Sequence, residues 1–391
     1  GAQFGNAVSG AGDVNGDGYS DIIVGARFYG NGEASEGAAF VYQGSASGLS
    51  ATAAWTTESN QAGARYGWSV ASAGDVNGDG YSDIIVGADT YSNGESGEGR
   101  AYVYHGSAAG VSASPAWVVE SNQASAGMGR SVACAGDVNG DGYSDVIVGA
   151  YLYSNGTALE GAAFVYHGSA SGLSASYAWI GDSNQSNAQY GISVACAGDV
   201  NGDGYSDVVA GASLYDNGQT DEGVTFLYLG AATGLSSSSS LMLEGNQASG
   251  LFGRSVASAG DVNGDGYGDV LVGGLQMSNG QSTEGRAFVY TGSATGLTAT
   301  ATWSGESNQA AAIYGWSVAS AGDVNGDGFS DIIVGSPNYD NGQTDEGAAF
   351  LYQGSAAGVS TTSGWNIESN QASAAMGFSV SCAGDVNGDG Y

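Results

Sequence analysis

One spacing limits this chain more than any other feature. Asp13, Asp75, Asp137, Asp199, Asp261, Asp323 and Asp385 follow one another every 62 residues, with no insertion or deletion. Asn-Gly pairs begin at 31, 93, 155, 217, 279 and 341, and Glu-Gly pairs at 36, 98, 160, 222, 284 and 346. Trp55, Trp117, Trp179, Trp303 and Trp365 keep the same beat, with Leu241 in the remaining place. Self-similarity at a fixed period marks a repeat architecture. Residues 1–391 therefore read as a single repeat domain of six complete units and a partial seventh.

Each period reads as four short strands. In the second copy these are Ser69 to Asp75, Asp83 to Ala88, Ala101 to Gly106 and Ala116 to Ser121. Clusters of Gly, Asn, Asp and Ser between them supply turn chemistry. The abundance of Tyr (23) and Trp (7) suits strands. No window shows a sustained helical period with caps. The second and third strands are apolar on both faces, so they are expected between neighbouring sheets. A four-stranded unit cannot bury both faces alone. Radial stacking solves this and leaves only short, protected edges, which predicts an all-β fold, a β-propeller of four-stranded blades. An open stack of such units would leave its terminal faces bare.

Charge narrows the range of partners. The chain has 39 Asp and Glu against 6 basic residues, all Arg, for a formal net charge of −33. Nucleic acid is excluded as a partner on this ground, because phosphate binding needs a basic surface. No long apolar window predicts membrane insertion. No signal peptide is visible, though the chain begins inside a motif and an export signal could lie upstream. Cys134, Cys196 and Cys382 share one repeat position with Ser72, Ser258 and Ser320, which suggests small buried thiols and not disulfides.

The acids recur at fixed places in one loop. In Asp75-Val-Asn77-Gly-Asp79-Gly80-Tyr81-Ser-Asp83, oxygen side chains stand at positions 1, 3, 5 and 9. Gly at position 6 permits a sharp turn, and the carbonyl at position 7 adds another oxygen. This is the donor set of a hard cation, and calcium takes six to eight oxygens. Two carboxylates ~5 Å apart repel by roughly 3 kcal/mol at an effective dielectric of ~20, so a divalent ion reverses an unfavourable term. Magnesium demands a more rigid octahedron, and soft metals lack Cys and His ligands here.

About one calcium ion per loop is therefore expected. The loops are 13–21, 75–83, 137–145, 199–207, 261–269 and 323–331, with a partial one at 385–391. The first uses Asp13, Asn15, Asp17, Tyr19 (through its carbonyl) and Asp21, and the second Asp75, Asn77, Asp79, Tyr81 and Asp83. The third and fourth use Asp137, Asn139, Asp141, Tyr143 and Asp145, then Asp199, Asn201, Asp203, Tyr205 and Asp207. The fifth and sixth use Asp261, Asn263, Asp265, Tyr267 and Asp269, then Asp323, Asn325, Asp327, Phe329 and Asp331. The seventh has Asp385, Asn387, Asp389 and Tyr391 and stops before position 9. An EF-hand would place Glu at position 12 and a helix after it, whereas here an apolar strand follows.

Taken together, these motifs resemble the FG-GAP repeats of bacterial, integrin-α-like propellers. Phe4-Gly5 and Phe252-Gly253 match the FG element. Tyr66-Gly67, Met128-Gly129, Tyr190-Gly191, Tyr314-Gly315 and Met376-Gly377 are variants of it. Gly25-Ala26, Gly87-Ala88, Gly149-Ala150 and Gly211-Ala212 match the GA of GAP, and Gly335-Ser336-Pro337 comes nearest to carrying the Pro. The resemblance covers the whole chain. It implies calcium in the hairpin between the first two strands of each blade, an extracellular or cell-surface setting, and a role in adhesion or ligand binding. Propellers of this kind usually have seven blades, so further residues or a neighbouring copy are expected to complete the seventh.

No catalytic constellation is present. His105 and His167 occupy a repeat position held elsewhere by Gln43, Leu229, Thr291 and Gln353, which suits a strand end. The sixfold Glu of the EG and ESNQ stretches are expected to satisfy turns. The expected function is a secreted, calcium-stabilised, non-catalytic propeller binding a protein or glycan ligand. The alternative is a segment of a long extracellular array or filament that contacts neighbouring copies.

Overall fold

A computed structural model describes Gly1–Tyr391. It contains six four-stranded sheets, each with its strands in chain order. The first blade is β1 (Phe4–Gly12), β2 (Asp21–Ala26), β3 (Ala38–Tyr42) and β4 (Trp55–Glu58). The second is β5 (Ser69–Gly74), β6 (Asp83–Ala88), β7 (Arg100–Tyr104) and β8 (Trp117–Glu120). Neighbouring strands are antiparallel, with Val8 opposite Val24 and Val86 opposite Tyr102. The fold is an all-β propeller of four-stranded blades with a 62-residue repeat, as the pattern predicted. No helix is long and apolar enough to cross a membrane.

The strand ends differ from the sequence reading by a residue or two, for identifiable reasons. The third strand of the second blade stops at Tyr104 because the Gly106 N–H donates to Asp83 and leaves the ladder. The first strand stops at Gly74, whose φ of 72° turns the chain into the acidic loop. In the first, third, fourth and fifth blades the first strand begins earlier, at the FG-type pair itself.

Two compact units are distinguishable. The first is Gly1–Val194 with Gly230–Ser237 and Ala383–Tyr391, and the second is Ala195–Leu229 with Ser238–Cys382. Within the first, β6 is buried along its whole length and presents Ile84 and Val86 to a cluster containing Tyr66, Tyr102 and Tyr104. Each such aliphatic side chain contributes roughly 1.5–3 kcal/mol by leaving water. Tyr66 keeps its hydroxyl satisfied inside by donating to the Tyr104 hydroxyl at 2.8 Å. The repeated tryptophan has the same dual character: Trp55 and Trp117 donate their indole N–H to the carbonyls of Ser112 and Ser174, one blade on, at 2.9 Å. Within the second unit, Trp303 does the same to Ser360 and Tyr314 pairs with Tyr352.

The glycines of the family-like motif have a packing reason. A Cβ on Gly25 would collide with the carbonyl oxygen of Gly67, and Gly87 stands in the same relation to Gly129. In the second unit Gly273 meets Gly315, and Gly335 meets Gly377. The glycine ending one blade's second strand thus lies against the FG-type glycine of the next. Any side chain there would push the blades apart.

The Ser/Cys exchange is also explained. Ser72, Ser258 and Ser320 accept the N–H two residues on through Oγ, and Cys134 and Cys196 accept it through Sγ. The cysteines are free thiols.

Candidate metal centre

Each of the first six acidic loops is the turn between a blade's first and second strands. It is wound by two glycines at positive φ, 73° for Gly16 and 90° for Gly18 in the first copy. Such angles are strained for any residue with a Cβ. The winding points successive backbone N–H groups at the first Asp. Asp13 Oδ1 accepts from Gly16 at 2.6 Å and Asp17 at 3.1 Å, and its Oδ2 accepts from Gly18 at 2.8 Å. Asn15 Oδ1 accepts the Asp17 N–H at 3.0 Å, and Asp17 Oδ1 accepts the Tyr19 N–H at 3.1 Å.

The same pattern recurs on Asp75, Asp137, Asp199, Asp261, Asp323 and Asp385. At Asp323 and Asp385 these N–H donors hold the carboxyl below the usual carboxylate range. Positions 1, 3 and 5 therefore gather at one loop mouth in all seven copies. Asn77 Nδ2, for example, donates to Asp79 Oδ2 at 2.9 Å.

Position 9 is placed differently. Asp21, Asp83, Asp145, Asp207, Asp269 and Asp331 are completely buried. Asp83 Oδ2 accepts the Val76 N–H at 2.9 Å and Oδ1 accepts the Gly106 N–H at 2.9 Å. Asp21, Asp145, Asp269 and Asp331 make the same two contacts. One carboxylate thereby ties the acidic loop to the turn after the third strand. Burial outweighs the two N–H donors and pushes Asp83, Asp145 and Asp269 up to about 6, and Asp21 and Asp331 upward as well. Nowhere do three Asp, Glu, His or Cys side chains converge as a ready-made metal shell. The structure brings positions 1, 3 and 5 together and engages position 9 as a clamp.

Position 7 carries a role that spacing did not indicate. The ring of Tyr81 lies on Gly16 of the preceding loop, 2.6 Å from where a Cβ would stand. Tyr143 lies on Gly78, Tyr267 on Gly202 and Phe329 on Gly264 in the same way. The next residue adds a bond, since Ser82 N donates to the Asp13 carbonyl at 3.0 Å and Ser330 N to that of Asp261 at 2.9 Å. The aromatic at position 7 therefore covers the glycine of the neighbouring blade. Its invariable aromaticity in all seven copies was the available signal. The seventh loop joins this chain of contacts: Ser20 N donates to the Asp385 carbonyl at 2.8 Å, and Tyr19 lies on Gly388.

The repeated Glu residues satisfy turns. Glu98 is buried and accepts the Asn93 N–H at 2.5 Å, and Asn93 Nδ2 donates to Glu120 at 2.9 Å. The equivalent Glu36, Glu160, Glu222, Glu284 and Glu346 are also buried.

Comparison with known proteins places this architecture. The FG-GAP repeat model matches residues 4–42, 66–104, 129–166, 191–228, 252–290 and 314–352, more than half of the chain. The chain belongs to the FG-GAP repeat family. Among curated relatives, integrin alpha-PS2 of Drosophila melanogaster is 35% identical over 164 residues, covering 39% of this chain and 12% of that protein. Integrin alpha pat-2 of Caenorhabditis briggsae is 32% identical over 226 residues, 54% of this chain and 18% of its own. Integrin alpha-7 of Homo sapiens is 35% identical over 169 residues, 41% of this chain and 13% of its own. The chain spans less than a fifth of the length of these relatives.

Proposed function

We propose that this chain is a calcium-stabilised propeller that acts outside the cell in adhesion or ligand binding and performs no chemistry of its own. The observation that carries the reading is the sevenfold loop mouth of Asp, Asn and Asp oxygens in a chain similar to integrin α proteins. The donor set fits a hard divalent cation, because it is all oxygen, anionic and wound on glycine. In each loop the ion would be held by the residues at positions 1, 3 and 5 and by the carbonyl at position 7. The position-9 Asp adds a third carboxylate to the same turn, and it alone of the three is fully buried. When bound, the ion offsets the repulsion among these carboxylates and so supports the native state.

Thermal melting in millimolar calcium and in excess chelator tests this reading. Each site held at ~1,000 times its Kd adds about 4 kcal/mol, so chelation is expected to lower the melting temperature steeply. Identical melts in the two buffers would remove calcium from the account. Binding is tested separately, by retention of cells or of arrayed proteins and glycans on beads coated with the chain.

A second reading, a segment of an extracellular array, draws support from the unbroken 62-residue spacing of the acidic loops, since independent ligand-binding loops tend to drift in length. Light scattering and electron microscopy separate single particles from strings of them.

A further inference from the structure

The chain has six arginines as its whole complement of Lys and Arg, against 39 acidic residues. Three of the six meet over one indole. The guanidinium carbons of Arg27, Arg65 and Arg130 lie 4.4, 4.6 and 4.0 Å from the Trp68 ring centroid. They come from three successive repeats of the first unit: Arg27 follows β2, Arg65 precedes the Tyr66-Gly67 pair, and Arg130 follows Met128-Gly129. Asp89, 1% exposed, lies against them. Arg65 Nε is 3.1 Å from its Oδ1, and Arg130 Nη1 is 3.3 Å from its Oδ2. Arg27 Nε donates to Gln3 Oε1 at 2.6 Å, and Arg65 Nε donates to Thr90 at 2.8 Å.

The repeat itself does not call for this cluster. The place of Trp68 holds Asn6, Ile192 and Trp316 in other copies, and the place of Arg27 holds Tyr151, Ser213 and Leu275. Nor does Asp89 call for it, since one carboxylate is already paired with two guanidiniums. Each pair of like charges ~8 Å apart adds roughly 2 kcal/mol of repulsion at an effective dielectric of ~20. Burial, and then the neighbouring arginines, hold Arg27 below its usual range. The forks remain reachable, with the Arg65 side chain 25% and that of Arg130 14% exposed. Planar guanidiniums held by an aromatic face are preorganised to accept a carboxylate through two N–H groups at once.

We propose that Arg27, Arg65 and Arg130, stacked on Trp68, bind one acidic side chain, an Asp or Glu carboxylate presented on a loop of a protein partner. This deepens the binding role proposed above and rests on it. A single carboxylate is favoured over an extended polyanion because the chain as a whole carries a net charge of −33. A sulfated glycan would meet that repelling field along its whole length.

The test follows the Trp68 indole N–H resonance, assigned by its loss in Trp68→Phe. Acetyl-Gly-Glu-Gly-amide is titrated in parallel with its Gln counterpart and with dextran sulfate. The Glu peptide is expected to shift the resonance saturably and the Gln peptide to leave it unmoved. Arg27→Gln is expected to weaken binding about fivefold or more, the loss of one charge-assisted contact, with an unchanged melting temperature. Arg130→Gln is expected to weaken binding too, with some loss of stability because it pairs with Asp89. The proposal is overturned by no saturable shift at about 50 mM peptide, a weak-binding limit. Equal shifts from the Gln peptide, undiminished binding by Arg27→Gln, or a response to dextran sulfate alone would also overturn it. If bead adhesion persists while the Glu peptide fails, this inference falls and the binding role stands. If adhesion is absent as well, both fall.

Discussion

The first hairpin of each blade has two ends, and they differ sharply. At one end seven loops repeat the same D-V-N-G-D-G letters; at the other, the residue after the FG-type pair runs Asn6, Trp68, Arg130, Ile192, Arg254, Trp316 and Phe378. Contacts explain the difference. A loop residue touches the corresponding loop of the next blade, as Gly16 touches Tyr81 and Gly78 touches Tyr143, so a change in one copy strands its partner in another. At the opposite end the glycines of adjacent blades must meet, while the residue after them meets its neighbour by a different chemistry each time: Asn6 Nδ2 donates to the Trp68 carbonyl, Arg130 stacks on Trp68, and Trp316 lies against Phe378. What recurs in the array is the contact that every blade makes in the same form. What varies is the contact that one pair of blades can change alone.

The largest expected effect that sharpens this contrast is a pH dependence in the metal-free protein. Burial pushes Asp83, Asp145 and Asp269 up to about 6 in the folded chain, from an ordinary carboxylate value of 3.8. A value raised on folding contributes stability that is fully present below the unfolded value and is lost as pH rises through the folded one. In chelator, melting temperature is therefore expected to fall between about pH 4 and pH 6. In saturating calcium the trend is expected to reverse, because protons compete with the ion. A metal-free melting temperature that is flat or rises across this range contradicts the buried clamp.

Asp83→Ala comes next. It leaves the Val76 and Gly106 N–H groups buried without an acceptor, at about 1–3 kcal/mol each, and denaturant melts in chelator should record about 2–6 kcal/mol. Gly264→Ala is smaller: a Cβ at a φ of 73° and 2.6 Å from the Phe329 ring should destabilise by about 2 kcal/mol. The smallest is Arg27→Gln at the variable end, which should leave stability within about 0.5 kcal/mol in the same melts. If Arg27→Gln destabilises as much as Gly264→Ala, the distinction between the two ends breaks down.

Much of the architecture was legible in residue order. The period, the four strands and the glycine-wound loop follow from local chemistry: turn residues at fixed offsets, apolar runs, and acids that recur at one spacing. The reading of Glu36 and its equivalents as turn acceptors also matches the hydrogen bonds they make. The site was legible only in part. Asp13, Asn15 and Asp17 act within their own loop, so spacing was enough to group them. Tyr81 and Arg130 act on residues of other repeats, and nothing in their immediate sequence names those partners.

The sequence alone determined the unit, its length, its strands and the oxygen donors of its first hairpin, because these depend on interactions a few residues long. Only the tertiary structure decided that Asp83 is a buried clamp, that Tyr81 covers a neighbour's glycine, and that Arg27, Arg65 and Arg130 converge on Trp68. These outcomes depend on contacts between strands and between blades, which join residues from about 20 positions apart, as Asp83 and Gly106, to more than 360 apart, as Tyr19 and Gly388.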